Sequence, residues 1–279
     1  MRVFVTGSAG FIGSHLVDYL IKQGYEVIGI DNLIRGKREY INPKSEFIKA
    51  DIRSQSIDRY LKGVDWIFHL AAIATTPWAM RDPILTNDIN VNGTLNLLMA
   101  AKKAKIKRFV YSSSNVVYSE QTPYWVSKKA GENYTRVFNL LYGLSTISLR
   151  YSNVYGSLRA NEENCIMALR KSWLGKGYVV VTGDGKQSRD FSHVSDIARA
   201  NLLAAESQVC GEFDICTGVN TTLNEVAAIF KCPVKYVSDR SGDAKHIIQD
   251  PKPAWKKLGY KYSIKFNEGN KIYMDQKEI

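Results

Sequence analysis

The first two dozen residues constrain this chain most. Arg2-Val3-Phe4-Val5-Thr6 is apolar and β-branched, the pattern of a buried strand. Gly7-Ser8-Ala9-Gly10-Phe11-Ile12-Gly13 follows at once, and Phe11, Ile12, Leu16, Val17 and Leu20 then recur at helical spacing up to Gly24. Gly7 allows the tight turn, Gly10 lets a pyrophosphate approach the main chain, and Gly13 lets the helix pack on the strand. The helix start offers free N–H groups and partial positive charge to a phosphate. A second strand, Glu26-Val27-Ile28-Gly29-Ile30, ends at Asp31, eighteen residues after Gly13. A carboxylate about 20 residues on is the group that takes an adenosine ribose. A purely structural glycine turn gives no reason for that acid, so the stretch predicts dinucleotide binding.

The rhythm continues along the chain. Glu46 to Ala50 predicts a third strand running into Asp51-Ile52. Val64 to Leu70 predicts a fourth, ending in Ala71-Ala72, where small side chains leave room for a ligand. Asn90 to Lys105 has helical period. Arg108 to Tyr111 is a fifth strand, followed by Ser112-Ser113-Ser114. Tyr124 to Tyr142 reads as a long helix stopped by Gly143, and Ser145 to Tyr151 as a sixth strand. The alternation predicts an α/β fold with a Rossmann doubly wound parallel sheet. Residues 1–155 are expected to form this domain. Beyond them the rhythm breaks, and 156–279 are expected to form a small C-terminal substrate-binding lobe, with 187–209 returning to the main sheet.

Composition narrows the class. With 279 residues, 45% hydrophobic and 23% charged, the chain has enough material for a large core. The net charge of +11 attracts anions, but the basic residues are dispersed. The densest run, Lys102, Lys103, Lys105, Lys107 and Arg108, ends a helix, where cations suit the dipole; it predicts a solvated face, not a nucleic-acid site. No apolar run approaches the ~18 residues of a membrane span, and the N-terminus enters a strand with no signal pattern, so a cytoplasmic protein is expected. Cys165, Cys210, Cys216 and Cys232 form no CxxC pair and suit buried thiols in a reducing cytosol. With four scattered histidines, no metal site is expected.

Tyr124-Trp125-Val126-Ser127-Lys128 carries the chemistry. Tyr124 and Lys128 stand at i and i+4, on one helix face. A tyrosine's ordinary pKa of about 10 is too high for a base at neutral pH. A nearby ammonium lowers it, and a bound nicotinamide cation would help. Tyr124 is thus expected to take a proton from a sugar hydroxyl.

These motifs extend over nearly the whole chain: VTGSAGFIGSHL, DN at 31 and 32, DI at 51 and 52, HLAA at 69 to 72, NVNGTLNLL at 90 to 98, SSSNVVY at 112 to 118, YWVSK, LRYSNVYG at 149 to 156, GDGKQSRDFSHVSDIARA at 183 to 200 and DRSGD at 239 to 243. On them the chain resembles the extended short-chain dehydrogenase/reductase family, and within it the nucleotide-sugar epimerases of the UDP-glucose 4-epimerase type. The resemblance implies NAD as cofactor, a UDP-hexose as substrate, a homodimer and roles for individual residues. Gly7, Gly10, Phe11, Ile12 and Gly13 would hold the pyrophosphate, Asp31 and Asn32 the adenosine ribose, and Asp51 and Ile52 the adenine. Leu70, Ala71, Ala72, Asn90, Ser112 and Tyr151 would line the cofactor, and Lys128 would also bond the nicotinamide ribose. Ser114, Tyr124 and Lys128 would be the catalytic set, with Asn153, Asn164, Arg189, Phe191, Arg240 and Asp243 around the substrate.

Two comparisons within the family narrow the reaction. Its 4,6-dehydratases place an Asp-Glu pair after the catalytic threonine, and its decarboxylases a Glu nearby. Here Asn115 and Val116 stand there, and neither exchanges a proton. What remains is epimerisation, or net reduction of a keto-sugar. Asp31 disfavours a 2′-phosphate by like charge, which selects NAD over NADP. The chain departs from the family before Tyr124: the connection from Tyr118 is just Ser119-Glu120-Gln121-Thr122-Pro123, and Ser119 replaces a glycine. A catalytically weak NAD-binding sensor or scaffold is the alternative of a different class.

Overall fold

The computed structural model describes residues 1–119, 122–239 and 246–274. Strand β1 (Arg2–Thr6) leads through the glycine turn to helix α1 (Phe11–Lys22), then β2 (Glu26–Asp31), β3 (Glu46–Lys49) and β4 (Trp66–His69). Two short helices follow, α2 (Thr76–Arg81) and α3 (Pro83–Asn87), before α4 (Thr94–Lys103) and β5 (Arg108–Ser114). Next come α5 (Pro123–Tyr142), β6 (Thr146–Tyr151), β7 (Asn153–Tyr155), α6 (Cys165–Lys176), β8 (Val179–Thr182), β9 (Ser188–His193) and α7 (Val194–Glu206). The chain continues with β10 (Gly211–Ile215), β11 (Asn220–Thr222), α8 (Leu223–Ala228), β12 (Val234–Val237), α9 (Lys252–Leu258) and α10 (Phe266–Gly269).

Seven strands form one parallel sheet in the order β10-β6-β5-β4-β1-β2-β3. The order reverses between β1 and β4, the switch point where such sheets bind ligands. Alternation along β1 explains why Val3, Phe4 and Val5 are all apolar. Val3 and Val5 pack with Leu16 and Leu20 of α1 and Ile197 of α7; Phe4 packs on the other face with Leu97 of α4 and Phe138 of α5. Both faces are covered, so all three positions must be apolar. A separate core, with Tyr155, Ile166, Val179, Phe191 and Phe230, joins the three-stranded sheet β11-β9-β7 to the pair β12-β8.

The structure shifts several expected boundaries. The segment 187–209 divides: residues 188–193 form β9 of the smaller sheet, and the return to the main sheet is made by α7 and carried past 209 by β10, which pairs with β6. Residues 254–260 also leave the expected lobe, because Ala254, Leu258 and Tyr260 pack into the core beside α7. The expected helix 90–105 is helical to Lys103, opening as a π-helical turn, Asp88–Gly93, that runs into α4; the Asn90 side chain in that turn is tied to Ile73 and Ser127. Helices α2 and α3 were too short to show a period; each carries a proline in its first turn, and Asp82 accepts from Leu85 N (2.9 Å) to cap α3. Arg108 is not part of a solvated face: it is 2% exposed, and its guanidinium donates to Ala204 O and Val209 O after α7. Cys216 is buried, Cys210 is exposed, and Cys165 and Cys232 lie between; none of the four is in a disulfide. Among the described residues no helix is long and apolar enough to cross a membrane.

Candidate active site

A cleft of about 1360 Å³ opens at the carboxyl ends of β1, β2, β4, β5 and β6, roofed by residues 157–164. Its cofactor side is made of main chain. Helix α1 begins after Gly10 with no side-chain cap and no acidic residue in its first turn. The N–H groups of Phe11, Ile12 and Gly13 precede the first intrahelical bond, Ser14 N to Gly10 O (3.0 Å), and these residues line the cleft. Gly7 has φ +70°, and a Cβ there would sit 2.8 Å from Ala71 N. A Cβ on Gly13 would sit 2.0 Å from Gly7 O. The turn is a cradle that only glycine can form, open to an anion. Asp31 Oδ1 accepts from Leu33 N (2.8 Å) and Oδ2 from Ala9 N (3.1 Å). Burial pushes its pKa up, and these two bonds act against that. Each oxygen keeps a lone pair for a donor in the cleft, as a ribose hydroxyl would need. The cradle and this acceptor fit a dinucleotide.

The groups expected to react, Ser114, Tyr124 and Lys128, sit where β5 and α5 meet. Thr122 caps α5 by accepting from Trp125 N (3.2 Å), and Pro123 occupies the first turn. One helical face then carries Tyr124 and Lys128, both buried and both lining the cleft. Ser114 ends β5, its Oγ accepting from Val116 N (3.3 Å). Burial pushes the Tyr124 hydroxyl up to about 12, and its hydrogen bond with Ser114 opposes that. Burial also pushes Lys128 down to about 7, against the pull of Glu132. In the protein alone, burial outweighs the lowering of Tyr124 expected from the Lys128 ammonium. Lys128 Nζ donates to Ser112 O and lies 4.6 Å over the Tyr111 ring, and desolvation dominates both groups.

The other expected residues separate into two groups. Leu70, Ala71, Ala72, Ile52, Asn32, Ser112, Tyr151, Asn153, Asn164 and Arg189 line the cleft. Of these, Tyr151 is anchored through its hydroxyl to Asn201 (2.8 Å), and Asn153 accepts from Asn115 (3.2 Å). Asn164 caps α6, accepting from Ile166 N (3.1 Å) and donating to Val154 O (3.0 Å), so most of its amide is spent. Arg189 donates to Ser188 O (2.8 Å). Three expected residues do other work. Asp51 pairs with Arg53 (2.9 Å) and accepts from Asn32 (2.8 Å); the Arg53 bonds hold its carboxyl down at about 2, and Ala50 and Ile52 form the wall instead. Asn90 is 1% exposed, its amide consumed by Ile73 (2.8 and 2.9 Å) and Ser127 (2.9 Å), so it braces the wall from behind. Phe191 is 3% exposed and packs on Tyr155 and Phe266, within the smaller core. Arg240 and Asp243 lie outside the described residues.

The roof was not legible in the sequence. Glu163 accepts from Arg35 Nη2 (3.3 Å) after β2, Arg81 Nη2 (2.9 Å) on α2, and Thr75 Oγ1. Arg159 pairs with Asp18 (2.9 Å) on α1. These partners lie 82 to 141 positions apart, and no local motif marks them.

The model of the NAD dependent epimerase/dehydratase family matches residues 3–216. The chain belongs to that family. It is an NAD-dependent enzyme of the epimerase type, and NAD accompanies several of the similar solved structures. A relative from Methanocaldococcus jannaschii, named provisionally as a UDP-glucose 4-epimerase, is 38% identical over 96% of each chain. The UDP-glucose 4-epimerase of Thermotoga maritima, solved with UDP-glucose, superposes with a TM-score of 0.91 at 33% identity, over 99% of this chain and 98% of that one. The UDP-N-acetylglucosamine 4-epimerase of Methanobrevibacter ruminantium, solved with UDP-N-acetylmuramic acid, gives 0.91 at 34% identity, over 99% and 97%. Relatives and similar structures of this epimerase-family chain also include sugar-nucleotide decarboxylases and a dehydratase.

Proposed function

We propose that the enzyme inverts C4 of a UDP-hexose of the UDP-glucose/UDP-galactose type. The observation that carries this reading is the convergence of Ser114, Tyr124 and Lys128 on one wall of a cleft whose neighbouring positions, Asn115 and Val116, hold no acid. Elimination of water or loss of carbon dioxide would call for such an acid. NAD, when bound, would supply the hydride acceptor and donor for C4 and, in its oxidised form, a positive charge that favours phenolate. That charge is what Tyr124 lacks in the protein alone, where burial dominates its pKa. As phenolate, Tyr124 takes the 4-hydroxyl proton while Ser114 hydrogen-bonds the same oxygen. The 4-keto sugar turns about its diphosphate linkage so that C4 is reduced on its other face, and Tyr124 returns the proton to the C4 oxygen. The diphosphate needs a firm anchor, and Arg189, which lines the cleft, and Arg240 are proposed to supply guanidinium groups for it.

Ile247 lines the cleft and, as a branched apolar side chain, favours a sugar with no 2-acetamido group. The deciding experiment is mass spectrometry of nucleotide sugars consumed and formed across a panel. UDP-glucose and UDP-galactose are expected to interconvert with no net NADH formed. Stoichiometric NADH consumption would instead identify a keto-sugar reductase, and efficient turnover of UDP-N-acetylglucosamine would overturn the role of Ile247.

We further propose a homodimer through α4 and α5. Leu97 and Phe138 are claimed by the core, but Met99, Val137, Leu140 and Leu141 stand exposed on these helices. Sedimentation at micromolar concentration is expected to give a dimer, and Leu140→Glu with Leu141→Glu a monomer. A wild-type monomer would refute it.

A further inference from the structure

Behind the Tyr124–Lys128 face lies a buried ion pair that the reaction as described does not use. Glu132 follows Lys128 by one turn of α5 and is 1% exposed. Arg150 donates to its carboxylate from Nε (2.8 Å) and Nη2 (2.7 Å), Ser113 from Oγ (2.9 Å) and Lys129 from Nζ (3.1 Å). Burial pushes this carboxyl up, but Arg150, Lys129 and Ser113 together outweigh it and the net shift is downward, so Glu132 is ionised at neutral pH. Arg150 reaches on to the Tyr118 hydroxyl (2.7 Å), which donates to Asp214 (2.9 Å). Buried pairs of this kind seldom stabilise a protein more than apolar packing does. Stability alone therefore does not account for this one.

Its position does. Ser113 stands between Ser112, whose carbonyl takes the Lys128 ammonium, and Ser114. Glu132 thus ties the end of β5 to the helix that carries Tyr124 and Lys128. It also sets the charge there. The groups around Lys128 and the Glu132 pair next to it are Tyr124, Lys129 and Glu132 on α5, His69 on β4, Tyr111 on β5, Arg150 and Tyr151 on β6, and Tyr118 after β5. Burial pushes His69 down to about 3 and raises the four phenols, so these five are uncharged at neutral pH. Glu132 is the anion acting on Lys128.

We propose that Glu132 is a positioning residue of the reaction. Pinned by Arg150, it holds the Ser112–Ser114 end of β5 through Ser113 and favours the charged form of Lys128. This rests on the reading of Ser114, Tyr124 and Lys128 as the reacting set.

Two substitutions separate the tether from the charge. Glu132→Gln keeps an acceptor for Ser113 and removes the charge; Ser113→Ala does the reverse. In the NAD-bound enzyme, Glu132→Gln is expected to lower kcat about tenfold or more with KM within about threefold. The alkaline limb of its kcat–pH profile is expected about one unit lower, because an ammonium that loses its anion deprotonates earlier. Ser113→Ala is expected to lower kcat with the limb in place. A second readout needs no turnover. The Lys128 titration is followed by NMR of 13C-lysine-labelled protein, assigned with Lys128→Met, and its midpoint is expected to fall in Glu132→Gln. Glu132→Asp, which sets the charge back by one methylene, is expected to move it the same way by a smaller step, and carries the test if Glu132→Gln does not fold. A midpoint unmoved in the folded variant, whatever its Tm, overturns the proposal and leaves Glu132 a structural ion pair. If the wild-type enzyme turns over no nucleotide sugar, the proposed function fails, and the Lys128 midpoint still decides this one.

Discussion

Around the glycine turn the cleft is walled chiefly by main chain, with the Asp31 carboxylate beside it; the region proposed for the substrate is walled by side chains. The turn at Gly7 and the opening N–H groups of α1 come from seven consecutive residues. Asn153, Asn164 and Arg189 come from β7, the cap of α6 and β9, and each is already hydrogen-bonded within the protein. A main-chain surface has one shape and fails when an atom is added to it. A side-chain surface changes residue by residue while the fold stands. That contrast fits a family whose members include UDP-glucose and UDP-N-acetylglucosamine epimerases, decarboxylases and a dehydratase.

The contrast can be broken, most sharply at the cradle. Gly13→Ala would place a Cβ 2.0 Å from Gly7 O, and it is expected to lose NAD altogether, measured as nucleotide content of the purified protein. Full NAD occupancy in that variant would show that the main chain is not the binding surface. Tyr124→Phe is expected to lower kcat by about 10²–10⁴ with NAD content unchanged, because the reacting group is lost and the ring still packs. Lys128→Met should be at least as damaging; near-wild-type rates in either would reassign the base. On the substrate side, Arg189→Met is expected to raise KM by about 10- to 100-fold with little change in kcat, the effect of losing a charged hydrogen bond of about 1.5–3 kcal/mol. A kcat loss with unchanged KM would move Arg189 from anchoring to chemistry. The smallest effect belongs to the roof. Glu163→Ala is expected to speed NAD exchange a few-fold, since partly exposed ion pairs contribute about 0–1 kcal/mol each. Exchange of bound NAD against a fluorescent analogue measures it, and an unchanged rate would show that the roof is not a barrier.

The same contrast governs what could be read in advance. The glycine turn, Asp31 and the Tyr124–Lys128 spacing are local, and the structure places each of them on the cleft. Asn90, Asp51 and Phe191 were assigned by motif, but their side chains had closer partners in the fold: Ile73 and Ser127, Arg53, and the smaller core. No spacing rule reveals that a polar group is already satisfied. Glu163 and Glu132 escaped notice for a related reason: their meaning lies in cations from other elements.

By itself the sequence determined the alternation of strands and helices, the cradle and the face that carries Tyr124 and Lys128. Backbone preference and periodicity act over a few residues, so a short stretch specifies them. The tertiary structure decided which polar side chains remain available to a ligand, where the chain returns to the main sheet, and the charge state of the reacting groups. Burial and long-range pairing set all three. Lys128 shows it most plainly: its position follows from a four-residue spacing, and its proton from the low-dielectric surroundings and the distant Arg150–Glu132 pair.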